Sequence, residues 1–164
     1  MTKQAEELSH VAADGSAAMV DVSDKAVTKR IARASGTISM AVTTLEAIKA
    51  NQIKKGDVLT TAKIAGVMAA KRTHDLIPLC HPLPLTDIQV DFEENATGYT
   101  AKAAVKTTGK TGVEMEALAA CSVALLTVYD MAKAIDRHMV ISDVKVIAKA
   151  GGASGDWSLD TEAL

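Results

Sequence analysis

The chain has 164 residues, a formal net charge of -2 and a composition that is 48% hydrophobic and 23% charged, which fits one globular domain that buries its own core without disulfides or metal. Only Phe92, Tyr99, Tyr129 and Trp157 are aromatic, so the core is built from aliphatic side chains, and a base-stacking nucleic-acid surface is not expected. The charge gives no pull toward nucleic acid or anionic membrane, the N-terminus has no apolar signal core, no apolar run is expected to span a membrane, and two cysteines in apolar surroundings read as reduced thiols of a cytoplasmic protein.

Residues 1–18 are small, polar and aperiodic and read as a flexible arm. "AVTKRIARASGTISM" is rich in Val, Ile and Thr and predicts a strand, with Arg30 on the face opposite Ile31 and Arg33, and a bulge or bend at Ser35-Gly36. Thr43 stands three residues before Glu46, a capping-box spacing that predicts a short helix. Asp57 then caps a second helix, "VLTTAKIAGVMAAKR".

All three prolines fall in "LIPLCHPLPL", as Pro78, Pro82 and Pro84, and they prevent helix there. "TDIQVDFEE" and "GYTAKAAVKTT" alternate apolar and polar residues, so they pair as antiparallel strands around "ENATG". "GVEMEALAACSVALLTVYDMAKAIDR" is the longest helix, with Leu118, Cys121, Leu125, Val128 and Ile135 near one face. "MVISDVKVIAK" closes the fold as a bent strand or two short ones, and 151–164 reads as a tail. Hairpin-paired strands with helices between and after them predict an α+β domain whose antiparallel sheet carries helices on one face.

Candidate chemistry is spread over four segments. "GKT" at 109–111 suggests a phosphate loop, but Ala104 stands where the first glycine of that motif belongs, so the motif is rejected. What remains is a helix N-terminus after a flexible turn, which can receive an anion. Asp130 and Lys133 are three apart in an otherwise apolar helix, so they are neighbours, either as a surface ion pair or as a carboxylate and ammonium facing a cleft. Glu114 and Glu116 open that helix, where they also offset its dipole.

Lys71, Arg72 and His74 precede the proline segment and His81 lies within it. Zinc at His74, Cys80 and His81 is disfavoured because the spacing matches no common site, and a metal-dependent hydrolase there is the weaker reading. The stiff frame around His81 fits either a packed histidine or one held in a fixed orientation. Glu116 and Asp130 lie fourteen residues apart, roughly 21 Å on a helix rising ~1.5 Å per residue. One small ligand cannot touch both ends of one such helix, so a shared site requires a second chain.

"MVDVSDK", "KGDVLTTAKIAGVMAAKRTHDLIPLCHPLPL" and "TTGKTGVEMEALAACSVALLTVYDMAKAID" together closely resemble the MoaC family of molybdenum cofactor biosynthesis, from about Met19 to Gly155. The resemblance implies a ferredoxin-like α+β domain assembled as a homohexamer, a trimer of dimers with sites at the dimer interface. It implies conversion of a cyclised dihydro-GTP, 3',8-cyclo-7,8-dihydroguanosine triphosphate, to cyclic pyranopterin monophosphate with release of diphosphate, a lyase reaction. No cofactor and no metal centre is implied.

By the same resemblance Lys55, Asp130 and Lys133 are the catalytic residues. Leu79, Cys80, His81, Glu114, Met115, Glu116, Arg30 and Lys149 bind substrate, and Lys71 and Arg72 join Arg30 and His81 as cations for the triphosphate. The family's tail carries a lysine after its glycine pair; here Ala153 stands in that place. A binding scaffold without turnover is the alternative of a different class.

Overall fold

The computed structural model describes residues 17–152 and 155–159; most of the expected N-terminal arm, Ala153 and the last five residues lie outside the described residues. The elements run β1 (Thr28–Ser39), α1 (Val42–Lys49), α2 (Val58–Lys71), α3 (Thr73–Leu76), β2 (Leu85–Asn95), β3 (Gly98–Gly109), α4 (Glu114–Ala132), β4 (Val140–Ala150) and β5 (Trp157–Ser158). The sheet order is β2-β3-β1-β4-β5, with every neighbouring pair antiparallel. This is the ferredoxin-like β-α-β-β-α-β arrangement with one short strand added at the β4 edge.

Alternation sets the two faces of the sheet. Ala32, Ala34 and Ile38 of β1 and Tyr99, Ala101, Ala103 and Val105 of β3 point into the core, while Lys102 and Lys106 point away and pair with Glu93 and Asp87. Helices α2 and α4 cover the inner face. They pack closely because small residues meet: a Cβ on Gly66 of α2 would come within 2.8 Å of the Ala120 carbonyl of α4. Against the sheet, a Cβ on Gly36 would press on Leu125 and Cys121 of α4 and on Val144.

The bulge expected at Ser35-Gly36 falls in the pairing of β1 with β4, whose register shifts between Ser35 and Thr37. β1 pairs with β3 in unbroken register, and the extra residues lie in β4, opposite Arg33/Ala34 and Ser35/Thr37. Gly36 serves contact with the helix, and β4 takes up the irregularity, with Asp143 at a positive φ of 55°.

Two helix ends also differ from expectation. Asp57 caps α2 as predicted, accepting from the Thr60 N–H at 3.0 Å. Helix α1 has no Thr43–Glu46 capping box; it begins at Val42 with no local side-chain cap. The carboxylate of Asp136, past the end of α4, accepts from the Ala41 N–H at 2.8 Å and from the buried Thr44 hydroxyl at 3.3 Å. A long-range acceptor replaces the local one.

Helix α4 ends at Ala132, so Ile135 falls beyond it and is exposed, not part of the apolar stripe, whereas Cys121, Leu125 and Val128 are fully buried. The expectation that no apolar run could cross a membrane is also corrected. α4 has 19 residues, a mean hydropathy of 1.4 and length enough to do so. Its apolar character is explained by its place between α2 and the sheet.

Candidate functional site

The candidate residues gather at the two ends of α4. At its start, the turn after β3 and the proline segment enclose a pocket of about 270 Å³, lined by Leu79, Cys80, His81, Glu114, Met115 and Glu116 among others. Its remaining wall is a strap before β1 that contributes Val20, Val22 and Lys25.

The strap is held by side chains of the pocket. His81 Nε2 lies 2.9 Å from the Val20 carbonyl; since a carbonyl only accepts, Nε2 carries the proton. Lys110 Nζ donates to the Ser23 carbonyl at 2.6 Å. His81 is therefore half-buried and tied to the strap, not a packed core residue. Among the described residues, no three His, Cys, Asp or Glu side chains gather to hold a metal.

Glu116 is only 4% exposed, and burial, with the charge of Glu114 adding to it, raises its carboxyl pKa above the ordinary 4.5. Burial raises the Cys80 thiol as well, with a further push from Glu116. A protonated thiol beside a reluctant carboxylate offers shape and hydrogen bonds, not a nucleophile.

Arg30 stands where β1 meets this turn. Its Nε and Nη2 donate to the carbonyls of Gly109 and Lys110, both at 3.1 Å. The Gly151-Gly152 turn makes room for it: both glycines have positive φ, and a Cβ on Gly152 would collide with the guanidinium. Lys149 Nζ approaches Glu114 at 3.4 Å. Arg30, Lys149 and Glu114, with Lys25, Lys110, Thr111 and Gly112, line a second pocket of about 180 Å³ that shares a wall with the first.

At the other end of α4, Asp130 is held between two ammonium groups. Lys133 Nζ lies 2.6 Å from its Oδ1 and Lys55 Nζ 2.7 Å from its Oδ2. Lys133, and after it Lys55, bring the Asp130 carboxyl down to about 2. Lys55 also donates to the Asp130 backbone carbonyl at 3.0 Å, placing positive charge at the helix C-terminus. Asp130 in turn raises the Lys133 ammonium pKa, so Lys133 stays protonated at neutral pH.

All three groups are about half exposed and line neither pocket at the start of α4. Lys71 and Arg72 stand exposed at the end of α2 and also line neither. The sequence reading missed Val20, Val22, Lys25 and Lys110. The alternation of Val20 and Val22 with Asp21 and Ser23 was a usable signal for the strap, and Lys110 lay inside the rejected phosphate-loop letters.

A family model described as the MoaC family matches residues 19–152. A protein named cyclic pyranopterin monophosphate synthase from Novosphingobium aromaticivorans is 56% identical, covering 92% of this chain and 96% of that protein. Proteins of the same name from Methylobacterium sp. (57% identical, 93% and 97% covered) and Brucella ovis (54%, 96% and 96%) align equally fully.

Proposed function

The chain belongs to the MoaC family, and from that premise we infer that it is a cyclic pyranopterin monophosphate synthase, a lyase of molybdenum cofactor biosynthesis. It acts on 3',8-cyclo-7,8-dihydroguanosine triphosphate: the purine ring is opened by water, a ribose hydroxyl attacks the α-phosphate, and diphosphate leaves with the bridging oxygen.

The residues divide this work by their chemistry. Glu114, Met115, Glu116 and the Leu79-Cys80-His81 segment suit the ring and sugar, because they combine an apolar wall with a few converging polar groups. Lys133 and Lys55, both able to carry ammonium groups, suit proton donation and stabilisation of developing negative charge. Asp130, its carboxyl held at about 2, is too weak a base to take a proton readily; it orients the two lysines.

The observation that carries the site's assembly is the distance between these groups. Glu116 and Asp130 belong to one continuous helix, roughly 21 Å apart at ~1.5 Å per residue. The outward stripe of α4 supports a two-chain site. Met115 and Leu126 are exposed, Ala119 and Ser122 between them are small, and α2 alongside adds exposed Ile64 and Met68.

Two copies of α4 crossing antiparallel about Ser122 bury this apolar stripe. Such a crossing brings Glu114 opposite Asp130 of the partner subunit. The assembly we propose is a dimer built on this face, three of which make a hexamer. The free Cys80 and Cys121 suit a reducing cytoplasm.

Mixing two inactive variants tests the shared site. Lys133→Ala and His81→Ala chains, each inactive alone, are expected to recover about a quarter of wild-type activity when co-assembled, since half the dimers then hold one intact site of two. No recovery in demonstrably mixed oligomers would overturn it. The activity itself is tested by diphosphate release from the cyclised GTP; binding without release would favour a scaffold.

A further inference from the structure

Lys55 is a flexible side chain on a loop, yet its ammonium meets both the Oδ2 and the backbone carbonyl of Asp130, at 2.7 and 3.0 Å. We propose that Gly56 is the positioning residue that aims it: the left-handed backbone of this glycine sets the direction in which the turn presents Lys55. This rests on the role given to Lys55 above and adds the residue that holds it in place.

The loop between α1 and α2 is fixed on both sides. α1 closes on Asn51, at a φ of 52°. The Asn51 N–H donates to the Ile48 carbonyl at 3.0 Å and that of Gln52 to the Ala47 carbonyl at 2.9 Å, the paired bonds of a Schellman end. Ile53 then enters the core, only 8% exposed. On the far side Asp57 caps α2 through the Thr60 N–H and hydroxyl. Lys54, Lys55 and Gly56 bridge these two anchors in one tight turn. The Gly56 N–H closes it on the Ile53 carbonyl at 2.9 Å, with Lys54 and Lys55 at the corners.

Gly56 has a φ of 99°, where an L side chain is strained. Crowding does not explain the glycine, because a Cβ there would meet nothing within 4 Å. Its requirement is conformational. A side chain that drives φ negative redirects the chain on its way into Asp57. Ile53 is held by the core and Asp57 by its cap, so the corner residues absorb the change. Lys55 then leaves Asp130, whose two acceptors admit little displacement of the ammonium.

The full-length Gly56→Ala oligomer tests this by two readouts. Its kcat should fall about tenfold to a hundredfold, with KM within about twofold of wild type, since the misplaced ammonium acts in the transition state. In carboxyl-resolved NMR titration, the Asp130 carboxyl should rise from about 2 toward its ordinary 3.8, because Lys55 is the second of the two lysines that hold it down. Gly56→Asn should recover most of both, as asparagine tolerates positive φ. In a Lys55→Ala background, Gly56→Ala should move the Asp130 carboxyl no further.

An Asp130 carboxyl that keeps its wild-type value in Gly56→Ala would overturn the proposal, as would an unchanged kcat, or a Gly56→Asn variant no better than the alanine. A loss of stability alone moves neither the Asp130 carboxyl nor the kcat of the folded enzyme, so misfolding is not mistaken for misplacement. Failure of the broader functional reading appears elsewhere, as no diphosphate released from the cyclised GTP by wild type, while the Asp130 titration still reports where Lys55 lies.

Discussion

The two ends of α4 treat a carboxylate in opposite ways. At the start, Glu116 is buried and its pKa is raised by burial; at the end, half-exposed Asp130 lies between two lysines and its pKa is lowered by them. The same functional group is a costly buried acid in one place and a fixed negative charge in the other. A helix of 19 residues keeps the two carboxylates apart within a chain.

If that division holds, the charged end can be altered with little effect on folding. Lys133→Ala is expected to lower kcat by about 10² to 10⁴-fold, with an unmoved Tm and an intact oligomer. Near-normal turnover would remove Lys133 from the mechanism.

A smaller effect is expected just beyond the same helix end, where Asp136 is structural. Asp136→Ala leaves the Ala41 N–H and the buried Thr44 hydroxyl without their acceptor, at a cost of about 1 to 2 kcal/mol in denaturant unfolding. The N–H groups of Ala41 and then His138 lower the Asp136 carboxyl from its ordinary 3.8. The stability it contributes is therefore complete above that value and lost as pH falls through the folded-state pKa. An alanine variant as stable as wild type at pH 7 would contradict the long-range cap.

The buried end should respond in the reverse sense. A carboxyl with a raised native pKa binds more protons folded than unfolded across the window between the two values, so stability falls as pH rises through it and stays lower above. Glu116→Gln removes that penalty. Its Tm should exceed wild type by a few degrees at pH 8 and match it at pH 4, while activity falls. An equal Tm at pH 8 would mean that Glu116 is not desolvated in solution.

The smallest effect separates the ends by salt. In carboxyl-resolved NMR titrations, added salt should move the apparent pKa of exposed Asp130 back toward ordinary and leave buried Glu116 in place. Equal sensitivity would erase the distinction.

Most of the fold was legible because it follows local pattern. The alternation in β2 and β3, the Asp57 cap and the long apolar run of α4 each identify an element within a few residues. What sequence pattern missed is non-local. Thr43 and Glu46 had capping-box spacing, yet the acceptor came from Asp136; the contact of Gly36 with α4 likewise joins distant parts of the chain. The candidate site divides similarly. Motif letters picked out Lys55, Asp130, Lys133 and the pocket residues, but only the fold shows that Lys25 and Lys110 lie with Arg30 and Lys149, and that Lys71 and Arg72 do not.

The Asp136 cap also constrains the order in which a growing chain can fold. The Ala41 amide waits for a partner 95 residues downstream, and an eight-residue helix has little stability alone. β1 waits too, since both its neighbours, β3 and β4, are made later. The first third of the polypeptide leaves the ribosome with its central strand unpaired and its first helix uncapped, and neither can be completed until residues near the C-terminus have been translated.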